Sequence, residues 1–109
     1  MDNLLKQMGT RIYERRRQKR LTQEELAEIA GVTPQTISTA ELGKKALRPE
    51  NLLKICNALE ISVDYLLQGQ ITDVDSAILS HKVAQLTSQQ YRYLEDIIGS
   101  YISALNSKE

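Results

Sequence analysis

Between Thr33 and Thr39 the sequence TPQTIST gathers four hydroxyls and one carboxamide around a single large aliphatic residue, Ile37. None of these groups ionises near neutral pH, and none attacks without a base beside it. What they offer is hydrogen bonding, and a Gln carboxamide can meet an adenine edge with two bonds at once. Fixed positive charge follows at Lys44, Lys45 and Arg48, with Gln23 upstream. Groups suited to catalysis are sparse by comparison. The one histidine, His81, has no second His or Cys near it in sequence to build a zinc site, and reads as a surface helix residue. Asp73-x-Asp75 lacks the Gly and the distal Glu of a calcium loop, so helix-start acids are the better reading. With neither a Gly-rich phosphate loop nor a nucleophile motif, no enzymatic activity, cofactor or metal is expected.

The polar cluster needs elements to hold it, and the flanking residues specify them. Thr22-Gln-Glu-Glu25 is a capping box: the Thr hydroxyl accepts from the backbone three residues on, and Glu25 reaches back. A helix therefore starts after Thr22 with Leu26, Ala27 and Ala30 inward, Ile29 at the flank, and Gln23, Glu24 and Glu28 outward. Gly31 ends it at the position where a positive φ is needed. Val32 plugs the corner, Thr33 is a second N-cap, and Pro34 takes the first helical position, where its missing N–H costs nothing. The second helix runs to about Glu41 with Ile37 inward opposite the small Ala27. Two short helices joined by a tight turn form a unit that can enter a DNA groove.

Further helices are expected from about Asn3 to Lys19, with Leu5, Met8 and Ile12 inward; from Pro49, carrying Leu52, Leu53, Ile55, Cys56 and Leu59; and from Ser62 through Leu67, ended by Gly69. No stretch alternates as a strand would, so the fold reads as all-α. Cys56 has no cysteine to pair with and lies in a helical apolar pattern, which makes it a small buried hydrophobe.

Taken in order, Gly9-x-Arg11-Ile12, Leu21-Thr22-Gln23-x-x-Leu26-Ala27, Gly31-Val32-Thr33, Thr36-Ile37-Ser38, Glu41-x-Gly43-Lys44 and the run from Leu52 to Leu67 resemble the lambda-repressor-like DNA-binding domain of five helices, the Cro and phage repressor type or XRE family. The resemblance covers Met8 to Leu67. It implies that Thr33, Gln35, Thr36, Ser38 and Thr39 reach base edges, with Gln35 the best placed for adenine. By the same resemblance Gln23, Lys44, Lys45 and Arg48 contact phosphates, while Arg16 and Glu41 form a structural ion pair. Three departures stand out. Pro34 replaces a side chain that often reads a base; Arg20 stands where a Gly often ends the first helix, implying a positive φ; and Ala40 replaces a larger apolar residue.

Net charge over the 109 residues is zero, but residues 1–58 hold 11 Lys and Arg against 7 Asp and Glu, net +4, and residues 59–109 hold 3 against 7, net −4. The basic half suits a polyanion, because neutralising phosphates releases counterions. Some of Arg15-Arg16-Arg17-x-Lys19-Arg20 is expected to serve that purpose rather than only to complement a helix dipole.

Residues 1–69 are therefore read as the DNA-binding domain and 70–109 as a helical dimerisation or interaction segment. In the latter Thr72 can cap a helix containing Val74, Ile78, Leu79, Val83 and Leu86. Leu86-Thr87-x-x-Gln90-Tyr91 then combines a capping box with a hydrophobic staple. Tyr91, Leu94, Ile97, Ile98, Tyr101, Ile102 and Leu105 follow at spacings of three and four, a wide apolar stripe. Both helices are expected to be amphipathic. The stripe must be buried, either on its own domain or against a second copy. A dimer is favoured because one reading helix contacts too few base pairs, and paired half-sites about 34–36 Å apart cure that. Tyr91, Leu94, Ile98, Tyr101, Ile102 and Leu105 are the interface candidates. Glu95 and Asp96 on the polar face argue against a membrane anchor.

The resulting expectation is a cytoplasmic, sequence-specific DNA-binding regulator, a repressor, acting on double-stranded DNA as a homodimer at a palindromic operator. Any signal input would come through a regulatory protein partner, proteolysis or dimer dissociation. The alternative is an antitoxin-like interaction module with secondary, autoregulatory DNA binding.

Overall fold

The computed structural model describes residues 2–107, and among them every regular element is a helix: α1 (Asp2–Gln18), α2 (Gln23–Ala30), α3 (Pro34–Glu41), α4 (Pro49–Leu59), α5 (Val63–Gln68), α6 (Asp73–Val83) and α7 (Ser88–Asn106). The chain divides into two compact units, one ending at Ser76 and the other starting at Ala77.

In the first unit the local signals act as their chemistry dictates. Thr22 Oγ1 accepts from the Glu25 amide at 3.0 Å, and Glu25 Oε1 accepts from the Thr22 amide at 2.8 Å, closing the capping box of α2. Gly31 turns the chain with φ 79°, its amide donating to Ala27 O. Thr33 caps α3 through the Thr36 amide, ahead of Pro34. Ile12, Leu26, Ile37, Ile55, Leu59 and Leu66, one from each of the five helices and a second from α4, fill the centre of the core with no exposed surface. Cys56 lies in the same core, and burial, helped by the nearby Asp75 carboxylate, pushes its thiol up to about 11. It is chemically inert at neutral pH.

Two side chains of α1 and one just beyond its end tie the unit together. Arg11 Nη1 donates to Leu66 O at 2.9 Å and Arg15 Nε to Leu59 O at 2.9 Å, meeting carbonyls at the ends of α5 and α4 that their own helices leave open. Lys19 pairs with Glu60 at 2.6 Å. Most of the basic run is thus engaged inside the unit, and the expected phosphate role for it is correspondingly narrowed. Arg17 lies against the Tyr13 ring and donates to its hydroxyl. Arg20 has φ 59°, in line with the departure from Gly read in the sequence, and Glu60 takes the same left-handed conformation after α4 without any sequence warning.

Between α5 and α6, Asp75 accepts from the amides of Ser62 and Thr72 and from both of their hydroxyls, at 2.7–3.2 Å. Burial opposes its ionisation, but these hydrogen bonds outweigh that and hold the carboxyl below its ordinary range.

The second unit carries most of α6 and all of α7. The α6 helix stops at Val83, so Leu86 belongs to the turn before Thr87, a correction to the longer helix expected. Its apolar residues also do not gather on one face: Val74 and Ile78, one turn apart, share one side of the helix, and Leu79 and Val83 share another. The amphipathic reading holds for α7 and not for α6. Thr87 and Gln90 form the expected capping box on α7.

Candidate nucleic-acid interface

The exposed side of α3 begins at its cap. Thr33 Oγ1 and Thr36 Oγ1 lie 2.9 Å apart, and Gln35 Nε2 donates to Thr39 Oγ1 at 3.1 Å, a bond one turn along the same helix. Gln35 is exposed, Thr36, Ser38 and Thr39 are half-buried, and Ile37 and Ala40 face the core. A shallow groove runs along this surface. Its walls are Gln35, Thr36 and Thr39 from α3, Lys45 and Arg48 from the following loop, and Asn51 from the first turn of α4. Three of the hydrogen-bonding candidates and two of the cationic ones therefore share one concavity, although the cations are ten or more residues from Gln35 in sequence. Asn51 was not anticipated, since an Asn after a helix start gives no signal beyond capping. Lys44 is exposed outside the groove, and neither Thr33, the cap of α3, nor Ser38 within it lines the groove.

The orientation of α3 is fixed from behind. Arg16, 8% exposed, donates from Nε to Glu41 Oε2 at 2.6 Å and from Nη2 to Glu41 Oε1 at 3.1 Å, a bidentate pair that raises the guanidinium pKa. Gln23 Nε2 donates to the same Glu41 Oε1 at 3.0 Å. The end of α3, the start of α2 and the body of α1 thus converge on one carboxylate. Gly9 lets α1 come close enough: a Cβ there would sit 2.5 Å from the carbonyl oxygens of Ala40 and Glu41. The small Ala40 is buried at this crossing.

Residues 12–66 match the family model described as helix-turn-helix. The chain belongs to this helix-turn-helix family. It is a lambda-repressor-like member, in a family of DNA-binding regulators and not of enzymes. Over 55 residues it is 40% identical to an uncharacterized HTH-type transcriptional regulator, YqaE of Bacillus subtilis, covering 50% of this chain and 47% of that protein. Repressor protein C2 of Salmonella phage P22 is 37% identical over 70 residues, 64% of this chain and 32% of C2. The chain thus spans about half of one relative's length and a third of the other's. The crystal structure of the P22 c2 repressor with a synthetic operator superposes with a TM-score of 0.56 at 40% identity, covering 58% of this chain and 96% of that one. A SinR–SinI protein complex aligns further along, over 88% of this chain and 98% of that one, with a TM-score of 0.54 at 25% identity.

Electrostatically the helix-turn-helix unit and the C-terminal helices contrast. Lys44, Lys45 and Arg48 stand exposed beside the groove, whereas α7 offers an apolar surface, with Ile98 47%, Tyr101 66% and Ile102 50% exposed. Leu94 is half-buried, and Tyr91 and Leu105 are exposed. Among the described residues no helix is long and apolar enough to cross a membrane, and no cluster of metal-ligating side chains occurs.

Proposed function

We propose that this chain is a sequence-specific, DNA-binding transcriptional repressor that reads a palindromic operator as a homodimer, with α3 in the major groove. The observation that carries the proposal is the groove in which Gln35, Thr36 and Thr39 lie beside Lys45 and Arg48. Side chains that can bond base edges and cations that can bond phosphates are presented together by α3 and the loop that follows it, as a reading unit requires. Support comes from the likeness to a repressor solved with its operator. In this reading Gln35, with Thr33, Thr36, Ser38 and Thr39, selects bases, and Gln23, Lys44, Lys45 and Arg48 set the register on the backbone.

Residues 1–69 act as the DNA-binding part and 70–109 as the dimerisation part. Tyr91, Leu94, Ile98, Tyr101, Ile102 and Leu105 of α7 form the contact between copies. Exposed aromatic and aliphatic side chains in such a row on one helix face are what a partner helix covers. The protein acts in the cytoplasm, where its operator is.

In vitro selection of bound sequences from a random duplex pool at about 150 mM salt, an ionic strength that suppresses purely electrostatic binding, tests the proposal when combined with the protein's mass in solution. The expected outcome is an inverted repeat with half-site centres about 34–36 Å apart, bound by a dimer. A pool that stays unenriched would refute it. The exposed α7 stripe and the likeness to a chain solved in a protein–protein complex favour a second reading, an antitoxin-like module that grips a regulatory protein and binds DNA secondarily. A monomer whose stripe binds an apolar dye until a partner is supplied would favour that reading.

A further inference from the structure

We infer that α7 pairs antiparallel with α7 of a second copy, so that the C-terminal half of each helix fills the open corner between α6 and α7 of the other. The inference rests on the homodimer reading above and adds to it an orientation and a second contact surface. On either side of the turn at Leu86 the two helices diverge and do not pack along each other. They leave a cleft of about 590 Å³ whose apolar lining is Leu79 and Val83 of α6, Leu86 of the turn and Tyr91 of α7, with Thr87 and Arg92 among its polar groups. Leu79 and Val83 are one turn apart, so both face the cleft although α6 is not amphipathic as a whole. Leu79 is 59% exposed and Tyr91 45%, so the chain itself does not close this corner.

Charge decides which part of α7 can enter. Residues 97–106, IIGSYISALN, hold no Asp, Glu, Lys, Arg or His, whereas residues 88–96 hold Arg92, Glu95 and Asp96. Only the C-terminal half enters an apolar cleft without desolvating a charge. The stripe also matches itself in the antiparallel direction: Tyr91 and Leu94 lie seven and four residues before Ile98, and Ile102 and Leu105 lie four and seven after it. Tyr91 then meets Leu105, Leu94 meets Ile102, and Ile98 meets its own copy, an isologous contact. In this register the last turn of α7, which has no basic residue to offset the negative end of its dipole, comes level with Arg92 of the second copy. Arg92 spends one N–H on Glu95 and keeps others for those open carbonyls. A parallel pair would instead bring the charged half of α7 to each cleft and leave the uncharged half beyond it.

Two measurements on the full chain test the inference. Spin labels are attached at Gln89→Cys or at Ser107→Cys, nine residues on either side of Ile98 and on the side of α7 away from the stripe, with the parent as the control for buried Cys56. At about 1.5 Å per residue, an antiparallel dimer labelled at the same position in both copies holds its labels about 27 Å apart along the helix axes. Mixing the two labelled proteins should then add a shorter distance, read by pulsed EPR. A parallel dimer reverses that order and overturns the inference while leaving the dimer standing. In the second measurement Leu79→Glu places a charge in the cleft without altering α7. It should weaken dimerisation by about tenfold or more in sedimentation, with the helix content of the parent retained in circular dichroism. Dimerisation equal to that of the parent would overturn the inference as well, because Leu79 would then face solvent in the dimer. A parent that sediments as a monomer refutes the homodimer reading itself, and the pairing of α7 with it.

Discussion

Gly9 has no side chain where α1 crosses the end of α3, and the 2.5 Å from a built Cβ to two backbone oxygens leaves nothing flexible to move aside. Gly9→Ala is expected to lower stability by about 1–3 kcal/mol through overpacking, read as a lower urea midpoint at unchanged m-value. A midpoint equal to that of the parent would show that α1 can shift. On the DNA side, Gln35→Ala should cost about 1–3 kcal/mol at one position of each half-site while other positions keep their preferences, measured by repeating the selection. Equal weakening on every sequence would remove Gln35 from the base-reading set. Lys45→Ala should do what Gln35→Ala does not, weakening all sequences alike and flattening the salt dependence by about one phosphate. At this scale the sequence was legible wherever the partner is close by in the chain, as at Thr22 with Glu25 or Thr33 with Thr36. It was silent on Arg11 with Leu66 O, 55 residues away, because no local pattern encodes such a meeting.

The helices α2 to α5 each start or stop on a residue whose role can be read from type alone, including Gly31, Pro34, Pro49, Ser62 and Gly69. The exceptions have physical causes. Glu60 accepts a left-handed conformation that a Gly would adopt at less cost, and its pairing with Lys19, just after α1, helps to offset the strain. The early end of α6 was hidden because Ala84, Gln85 and Leu86 are all acceptable helix formers, and only the fold decides where the chain leaves the helix. The junction of α5 and α6 hangs on Asp75, and its depressed pKa makes a pH prediction. A carboxyl held below its unfolded-state pKa adds stability that is fully present above that value and is lost as pH falls through the folded one. The parent should therefore lose stability on acidification more steeply than Asp75→Asn, in urea titrations repeated from neutral pH downward. Parallel curves for the two proteins would mean that the four hydrogen bonds do not depend on the charge.

For the whole molecule, the dimer and the DNA contact are two halves of one prediction. Ile98→Glu places a charge in the middle of the α7 stripe, so sedimentation should change from dimer to monomer with helix content unchanged, and operator affinity should fall by more than about tenfold as bivalent engagement is lost. A dimer that persists would take α7 out of the interface. The all-α architecture and the helix-turn-helix were legible because they follow from short-range periodicity and caps, whereas the groove shared by α3, its following loop and Asn51 arises only when three elements meet. The engagement of Arg11, Arg15, Arg16 and Lys19 within the first unit reaches further than the fold. If only Lys44, Lys45 and Arg48 of each copy meet phosphates, a bound dimer releases about six counterions, a logarithmic salt slope of roughly −5. Such a protein holds random DNA weakly, so the chromosome competes little for it. A small number of molecules per cell can then keep an operator occupied, and a modest fall in their number is enough to vacate it.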